Sequence, residues 1–449
     1  MLTLYRATFM QNDKTTLKDL SIFSSDGSED VFALMDYTST QAGRDMLHKH
    51  IQNPPDTFEK LKEVQDAVKF WSAHADLWPK IILNGTLVML DKYFETADSF
   101  SAPPGVLMLS LNGFFQKLLN KQEYFFIQFS LSHLSDFLIG CTQLAAIADG
   151  QDVPPLLLKE LNKIKDELQH RLTPQLISIT KEIKYAELSR LNYKARREMK
   201  HVVYRLINSY AKLDAWQSMA KATIKHGWVF PELTPDSPVC FDAKGLRHPL
   251  LQTPVSYDIA FDNNRNFLVL TGANMSGKTT FMRALGVAGL LAHIGMGVPA
   301  KSLRISFLQG IITNMQVEDN ILRGESYFFA EVKRMKQTAE KLLQQQPHLV
   351  LMDELFKGTN VHDAFECTKA VVEGLLHHPN HLMILSTHLY EVAKQFSANE
   401  DILFSYFVTT LSEDGNYKFT YELKEGISND RIGYRILQNE GVIDLLNRK

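Results

Sequence analysis

The sequence predicts a helical N-terminal half followed by an α/β C-terminal half built on a mainly parallel sheet. Three observations carry this expectation. Residues 267–291 read as an apolar strand (FLVL), a glycine-rich turn (GANMSGKTT) and a helical stretch from Phe281 to about Leu291. Two more short apolar runs, LVLMDE at 349–354 and LMIL at 382–385, have the composition of buried parallel strands. The first half instead repeats apolar residues at helical spacing and shows no run of alternating strand pattern.

Along the first half, residues 1–30 read as an N-terminal extension. Phe125–Ile147 is apolar enough to raise the question of a membrane span. It carries Gln128, His133, Asp136 and Gln143, so a buried core helix is expected and no membrane association. Leu157, Leu161, Ile164 and Leu168 form one helical stripe, Leu176, Ile179 and Ile183 a second, and Val203, Leu206, Tyr210 and Leu213 a third. The stretch Lys181–Lys200 is basic, with Tyr185 and Tyr193 interleaved. Two readings stand for it. It is a surface for nucleic-acid phosphates, with Lys194, Arg196, Arg197 and Lys200 as candidate contacts, or it is a solvated helix face. Phe230–Asp242, rich in proline and polar residues, reads as a linker into the second half.

Bulk properties narrow the function classes. A chain of 449 residues has room for two or three domains. The net charge of −3 argues against a dedicated nucleic-acid-coating protein, so any such contact must be local. Cys141, Cys240 and Cys367 are widely spaced and fit neither a disulfide framework nor a zinc site. No secretory signal is read at the start, and a cytoplasmic protein is expected.

The C-terminal half carries the chemistry. Gly272, Gly277, Lys278 and Thr279 occupy the fixed positions of the phosphate-loop pattern G-x-x-x-x-G-K-[ST]. Between a strand and a helix, such a loop turns its backbone N–H groups toward a triphosphate at the helix N-terminus. Gly272, Ala273, Asn274, Met275, Ser276, Gly277, Lys278, Thr279 and Thr280 are therefore the expected ATP-binding residues. Lys278 would reach the β- and γ-phosphates, and Thr279 would offer its hydroxyl to Mg²⁺. Asp353 and Glu354 end the second strand, where ligand groups belong in open α/β sheets. Asp353 is expected to hold Mg²⁺, and Glu354 to orient or deprotonate the attacking water. The third strand runs into Ser386, Thr387 and His388. His388 is expected as a sensor of the γ-phosphate, although a histidine at a strand end is often structural.

The stretches TGANMSGKTTFMRALGVAGLLAHIGMGVPA (271–300), DELFKGTNVHDAF (353–365) and STHLYEVA (386–393) resemble the ATPase domain of MutS DNA mismatch-repair proteins. The family writes its loop TGPNMGGKST. Ala273, Ser276 and Thr279 depart from it, while Asn274 and Met275 are its distinctive residues. The family turn GRGTST corresponds to Phe356, Lys357, Gly358, Thr359 and Asn360, with phenylalanine in place of the first glycine, and Asp363 keeps the family aspartate. QVEDNILRGESYFFAEV (316–332) is similar to the family's signature segment, shared with the wider ABC class of ATPases. The resemblance implies that Gly324 and Ser326 act in trans on the γ-phosphate held by the other subunit of a homodimer. A plain helix cap at Ser326, with Glu331 nearby, is the alternative. More loosely, LMDYTSTQAGRDMLHKHIQNPP (34–55), Ala211–Leu233 and LRHPLL (246–251) are similar to the opening of the family's core, its returning lever helix and the entry to its ATPase domain.

The organisation so implied is an extension at 1–30, a helical core and lever at 31–235 with the clamp absent or vestigial, and an ABC-type ATPase domain at 236–449 with a short helical end. No segment resembling the family's mismatch-reading wedge stands ahead of the core. The implied function is Mg²⁺-dependent ATP hydrolysis coupled to recognition of mismatched, distorted or branched DNA in repair or recombination. The alternative is an ATP-switched protein-interaction module that does not bind DNA directly.

Overall fold

The computed structural model describes residues 13–24, 29–96, 121–179, 183, 185–236, 238–261, 264–315, 327–344, 346–411, 417–428 and 442–447. They fall into two compact units. One gathers the described residues of Met1–Leu34, Ile51–Lys62 and Thr223–Lys449, the other those of Met35–His50 and Glu63–Ala222.

The second unit is helical, and none of its described residues lies in a strand. Its long helix Lys121–Ile147 buries Leu131, Leu134, Phe137, Leu138, Cys141 and Leu144 at helical spacing, as a core helix should. Among the described residues no helix is long and apolar enough to cross a membrane. Pro154 and Pro155 open the helix Pro155–Glu167, whose first turn needs no donor from them. Val203, Leu206, Tyr210 and Leu213 are buried along the helix Lys200–Lys225. Tyr210 lies 5.4 Å from Trp78 and 6.2 Å from Phe137 between ring centroids, so this stripe carries an aromatic cluster. The expected second stripe does not form one helix. The helix Thr173–Ile177 stops at Ser178, whose hydroxyl donates to the Gln175 carbonyl, and Ile179 lies beyond it.

Asp214 anchors this unit. Its buried carboxylate accepts the Ser39 and Thr40 N–H groups at 2.9 and 3.0 Å and the Thr40 hydroxyl at 2.8 Å. These bonds satisfy donors at the start of the helix Gln41–Gln52.

The first unit holds two sheets. The larger contains β4 (Phe267–Thr271), β6 (Gly310–Asn314), β7 (His348–Asp353), β8 (Leu382–Ser386), β9 (Ile402–Leu411) and β10 (Tyr417–Glu425) in the order β10-β9-β4-β8-β7-β6. Every pairing is parallel except β9 with β10. The smaller sheet orders β1 (Glu232–Thr234), β5 (Ser302–Ser306), β2 (Phe241–Leu246) and β3 (Tyr257–Phe261) as β1-β5-β2-β3. The stretch read as a linker thus contains β1. Leu233 pairs with Ile305, and Pro231 and Pro235 confine the strand to a short edge.

Strands β4, β7 and β8 are buried along their whole length, which explains their unbroken apolar reading. Val269, Val350, Met352, Met383 and Leu385 from these strands pack with Met335, Leu342, Val372 and Leu375 from flanking helices. On the described residues the C-terminal half is therefore a mixed α/β structure following a helical one.

We expect Asp214→Ala to strand buried N–H groups at Ser39 and Thr40 and to lower stability by about 2–4 kcal/mol. Urea denaturation of the variant beside the wild-type chain measures this, and a loss below about 0.5 kcal/mol would show that the cap is not needed.

Candidate active site

The register of three strands builds the site. Leu270 on β4 pairs with Ser386 on β8, and Ser386 pairs with Asp353 on β7, so the three C-terminal ends lie side by side. From them emerge the loop Gly272–Gly277, the Glu354 turn and the Thr387–His388 turn.

The loop needs its glycines. Gly272 has φ 140° and Gly277 φ 106°, conformations strained for any side chain. Gly277 is also the N-cap of the buried helix Lys278–His293, whose first N–H groups have no partner within the helix and face the loop. Met275 enters the left-handed region as well, at φ 66°, with its side chain in solvent. The Ser276 hydroxyl is buried and has no hydrogen-bond partner among the described residues. Lys278 Nζ donates to the carbonyls of Gly272 and Ala273 at 2.8 and 2.9 Å and lies 4.0 Å from Glu354 Oε1. Burial lowers the Lys278 pKa, against the pull of Glu354 and Asp353.

Asp353 joins the loop helix to the strands. Its Oδ2 accepts the Thr279 hydroxyl at 2.6 Å, and its Oδ1 accepts the Ser386 hydroxyl. Thr279 and Asp353 offer hard oxygen donors of the kind Mg²⁺ prefers. Among the described residues no group of three or more His, Cys, Asp or Glu could hold a metal. The pair therefore fits an ion that takes one or two protein ligands and completes its shell with phosphate and water, not an all-protein cage.

Glu354 is fixed from several sides. Its φ is 51°, and its N–H donates to the Ser386 carbonyl at 2.9 Å. His388 Nδ1 and Lys357 Nζ lie 3.7 and 2.9 Å from its Oε2. With His388 foremost and Lys357 beside it, these contacts outweigh burial and hold the carboxyl at about 2. The turn beyond takes its shape from Glu331, on the helix Tyr327–Leu342, whose carboxylate accepts the N–H groups of Lys357 and Gly358 at 3.2 and 3.1 Å. Phe356 has φ 61°, and its buried ring lies 5.9 Å from that of Phe328. Asn360 then caps the helix Val361–Leu375 by accepting the Asp363 N–H.

Lys278, Thr279, Asp353, Glu354 and His388 thus converge. Gly324 and Ser326 lie outside the described residues. Sequence reasoning gave no site role to Lys357 or Tyr421, and it weighed Glu331 only beside a helix cap at Ser326. Lys357 had a local signal, its i+3 spacing from Glu354. Glu331 and Tyr421 had none. Tyr421 sits at an irregularity in the β9–β10 ladder with φ 56°, and its half-exposed ring borders Gly277.

The basic candidates belong to the helical unit, where a π-helical turn, Ala195–Met199, joins Tyr185–Lys194 to Lys200–Lys225. Lys194 and Lys200 are half-buried there. Arg196 donates to the Thr96 carbonyl at 2.6 Å and to Asn192 Oδ1 at 3.2 Å, and its guanidinium lies over the Tyr93 ring at 4.4 Å. Arg197 lies over the Tyr193 ring and is exposed.

Residues 268–444 match the family model described as MutS domain V. The DNA mismatch repair protein MutS 1 of Halobacterium salinarum is 28% identical over 331 residues, covering 72% of this chain and 36% of that protein. The DNA mismatch repair protein msh3 of Aspergillus fumigatus is 32% identical over 51% of this chain and 21% of its own length. The DNA mismatch repair protein MutS of a Thermotoga species is 31% identical over 56% of this chain and 31% of its own length. The chain thus matches between about a fifth and just over a third of the length of these relatives.

Because the folded pKa of Glu354, about 2, lies below its ordinary 4.5, its contacts stabilise the fold fully above pH 4.5. That contribution is lost as the pH falls through about 2. Denaturation midpoints between pH 6 and pH 2 should therefore converge for wild type and Glu354→Gln toward the acid end. Parallel curves would mean that Glu354 is not held in its charged form.

Proposed function

The chain belongs to the MutS family, and on that premise we propose that it is a Mg²⁺-dependent ATPase. In this reading an ABC-type P-loop domain, residues 236–449, follows a helical core and lever, residues 31–235. The observation that carries the reading is the convergence of Lys278, Thr279, Asp353, Glu354 and His388 at adjacent parallel strand ends.

The loop N–H groups from Gly272 to Thr280 cradle the phosphates at the helix N-terminus. Lys278 leaves the carbonyls of Gly272 and Ala273 to meet phosphate oxygens. Thr279 and Asp353 would hold Mg²⁺, and the ion would supply positive charge to the phosphates. Glu354, kept ionised and fixed in direction, orients the attacking water and accepts its proton. His388, half-exposed beside Glu354, touches the γ-phosphate side of the site. Tyr421 offers an aromatic face beside Gly277 against which a base can stack. Ser326 completes the site of the other subunit in a homodimer.

We assign the ATPase cycle to recognition of mismatched, distorted or branched DNA, in keeping with the mismatch-repair names of the relatives. The second reading, a protein-binding ATP switch, is favoured by the inward engagement of Arg196, which reduces the charge open to phosphates. A titration of homoduplex, mismatch and junction DNA against salt separates them. A steep salt slope supports the DNA reading, and no binding at low salt supports the switch.

Glu354→Gln should keep ATP affinity while turnover falls on the order of a hundredfold or more. Wild-type turnover in a steady-state phosphate-release assay would remove Glu354 from its role. Lys278→Ala should weaken nucleotide binding and hydrolysis together, as read by a fluorescent nucleotide. For DNA, Arg197→Ala should flatten the salt slope by roughly one unit while leaving stability unchanged. Arg196→Ala should also destabilise the fold, since its guanidinium packs on Tyr93. Mismatch-selective binding that survives both changes would place the DNA contact elsewhere.

A further inference from the structure

We propose that the N-terminal segment Asp13–Ile22 is a positioning element for hydrolysis, acting through Arg334 on the helix whose Glu331 shapes the turn behind Glu354. The proposal rests on the hydrolytic reading of that site.

The segment reads as an extension in sequence, yet it is built into the C-terminal unit. It forms the helix Lys14–Asp19, capped by Asp13, which accepts the Thr16 N–H at 2.7 Å. Leu17, Leu20 and Ile22 are buried. Three elements of the unit meet it. On edge strand β6, Asp19 Oδ2 accepts the Thr313 hydroxyl at 2.7 Å and, just beyond the strand, the Met315 N–H at 3.2 Å. On the phosphate-loop helix, Leu20 occupies the space that any side chain at Gly286 would need. On the helix Tyr327–Leu342, Arg334 Nη2 and Lys341 Nζ reach the Asp13 carboxylate at 3.2 and 3.3 Å.

Burial pulls the Asp13 carboxyl upward, but the Thr16 N–H, Arg334 and Lys341 outweigh it and hold it at about 2, so the ion pair is charged at neutral pH. Arg334 also donates to the Thr313 carbonyl and to Asn314 Oδ1, so its fork locks this helix to the end of β6.

From Arg334 the path to the reacting centre is short. Glu331 is one helical turn away and accepts the N–H groups of Lys357 and Gly358. Lys357 holds Glu354 at 2.9 Å. Direct contacts therefore join Asp13 to Arg334, Glu331 to Lys357 and Lys357 to Glu354, and the shared helix Tyr327–Leu342 carries the link from Arg334 to Glu331. Asp19 strengthens the brace. Its carboxyl is buried, and its Oδ1 has no hydrogen-bond partner among the described residues, nor does Arg283 Nε on the phosphate-loop helix. Burial pushes the Asp19 pKa up, while the hydrogen bonds from Thr313 and Met315 and then the charges of Arg334 and Arg283 act against that. One segment thus touches both the helix that opens at the phosphate loop and the helix that shapes the turn behind Glu354.

A brace that aims Glu354 acts on turnover, whereas a brace that only holds the fold acts on stability. The test uses the full chain and measures affinity for a fluorescent ATP analogue, steady-state turnover and the thermal midpoint. Asp13→Asn and Glu331→Gln should each lower kcat about tenfold, with nucleotide affinity within about twofold of wild type. The double variant should be no slower than Glu331→Gln alone, because both changes break one path. The pair Asp13→Arg with Arg334→Asp should recover part of the turnover lost by Asp13→Arg. Should Glu331→Gln fail to fold, Asp13→Asn and this exchanged pair decide the matter. Unchanged kcat in Asp13→Asn, affinity falling in step with kcat, or multiplying defects in the double variant would overturn the proposal. A wild-type chain that binds no nucleotide or turns over no ATP would instead refute the hydrolytic reading itself.

Discussion

The Asp353 carboxylate receives a hydroxyl on each oxygen, from Thr279 on the loop helix and from Ser386 on β8. Through it the end of β7 is tied to both neighbours of the site. A buried carboxylate without such partners would cost several kcal/mol, so the strands must meet in the one register that supplies them. A slip of one residue on β7 would turn Asp353 to the opposite face of the sheet. The apolar packing of Val269, Val350, Met352, Met383 and Leu385 holds that register. The position of the loop, of Lys278 and of Glu354 follows from it.

Backbone strain is concentrated just beyond this point. Glu354 and Phe356 both lie in the left-handed region, at about 1–3 kcal/mol each. The related family has glycine at the second position, which carries no such penalty. Here the phenylalanine adopts the glycine conformation and offsets the strain by burying its ring in the core beside Phe328. Glu331 adds two hydrogen bonds to the same turn. Helix, turn and strand therefore fix the direction of the Glu354 carboxylate before any ligand arrives. Lys357 and His388 keep it charged.

The helical unit follows a different rule. Its charges are mostly used locally, as in Arg171 with Glu198, Arg205 with Glu167 and Arg196 over Tyr93. Such exposed pairs contribute little stability each. They do lower the number of cations open to a partner, so a basic stretch in sequence overstates the basic surface in space. Within the π-helical turn in the middle of this stretch, Arg196 engages the Thr96 carbonyl and the Tyr93 ring while its neighbour Arg197 is exposed.

Features encoded by local pattern can be read from the residues alone. The strand, glycine loop and helix at 267–291, the Asp-Glu pair after LVLM and the histidine after LMIL were legible because buried parallel strands and phosphate loops have composition and spacing of their own. The stripes on Pro155–Glu167 and Lys200–Lys225 were legible from helical period. The tertiary structure alone decided which strands stand side by side, that β1 joins β5 some 70 residues away, and that Ser386 and Thr279 share Asp353. It also decided that Asp13 pairs with Arg334, that the Glu331 carboxylate accepts the N–H groups of Lys357 and Gly358, and that Tyr421 borders Gly277. These are single contacts between residues far apart in the chain. Each depends on the packing of a whole sheet and leaves no period, motif or composition in the segments it joins.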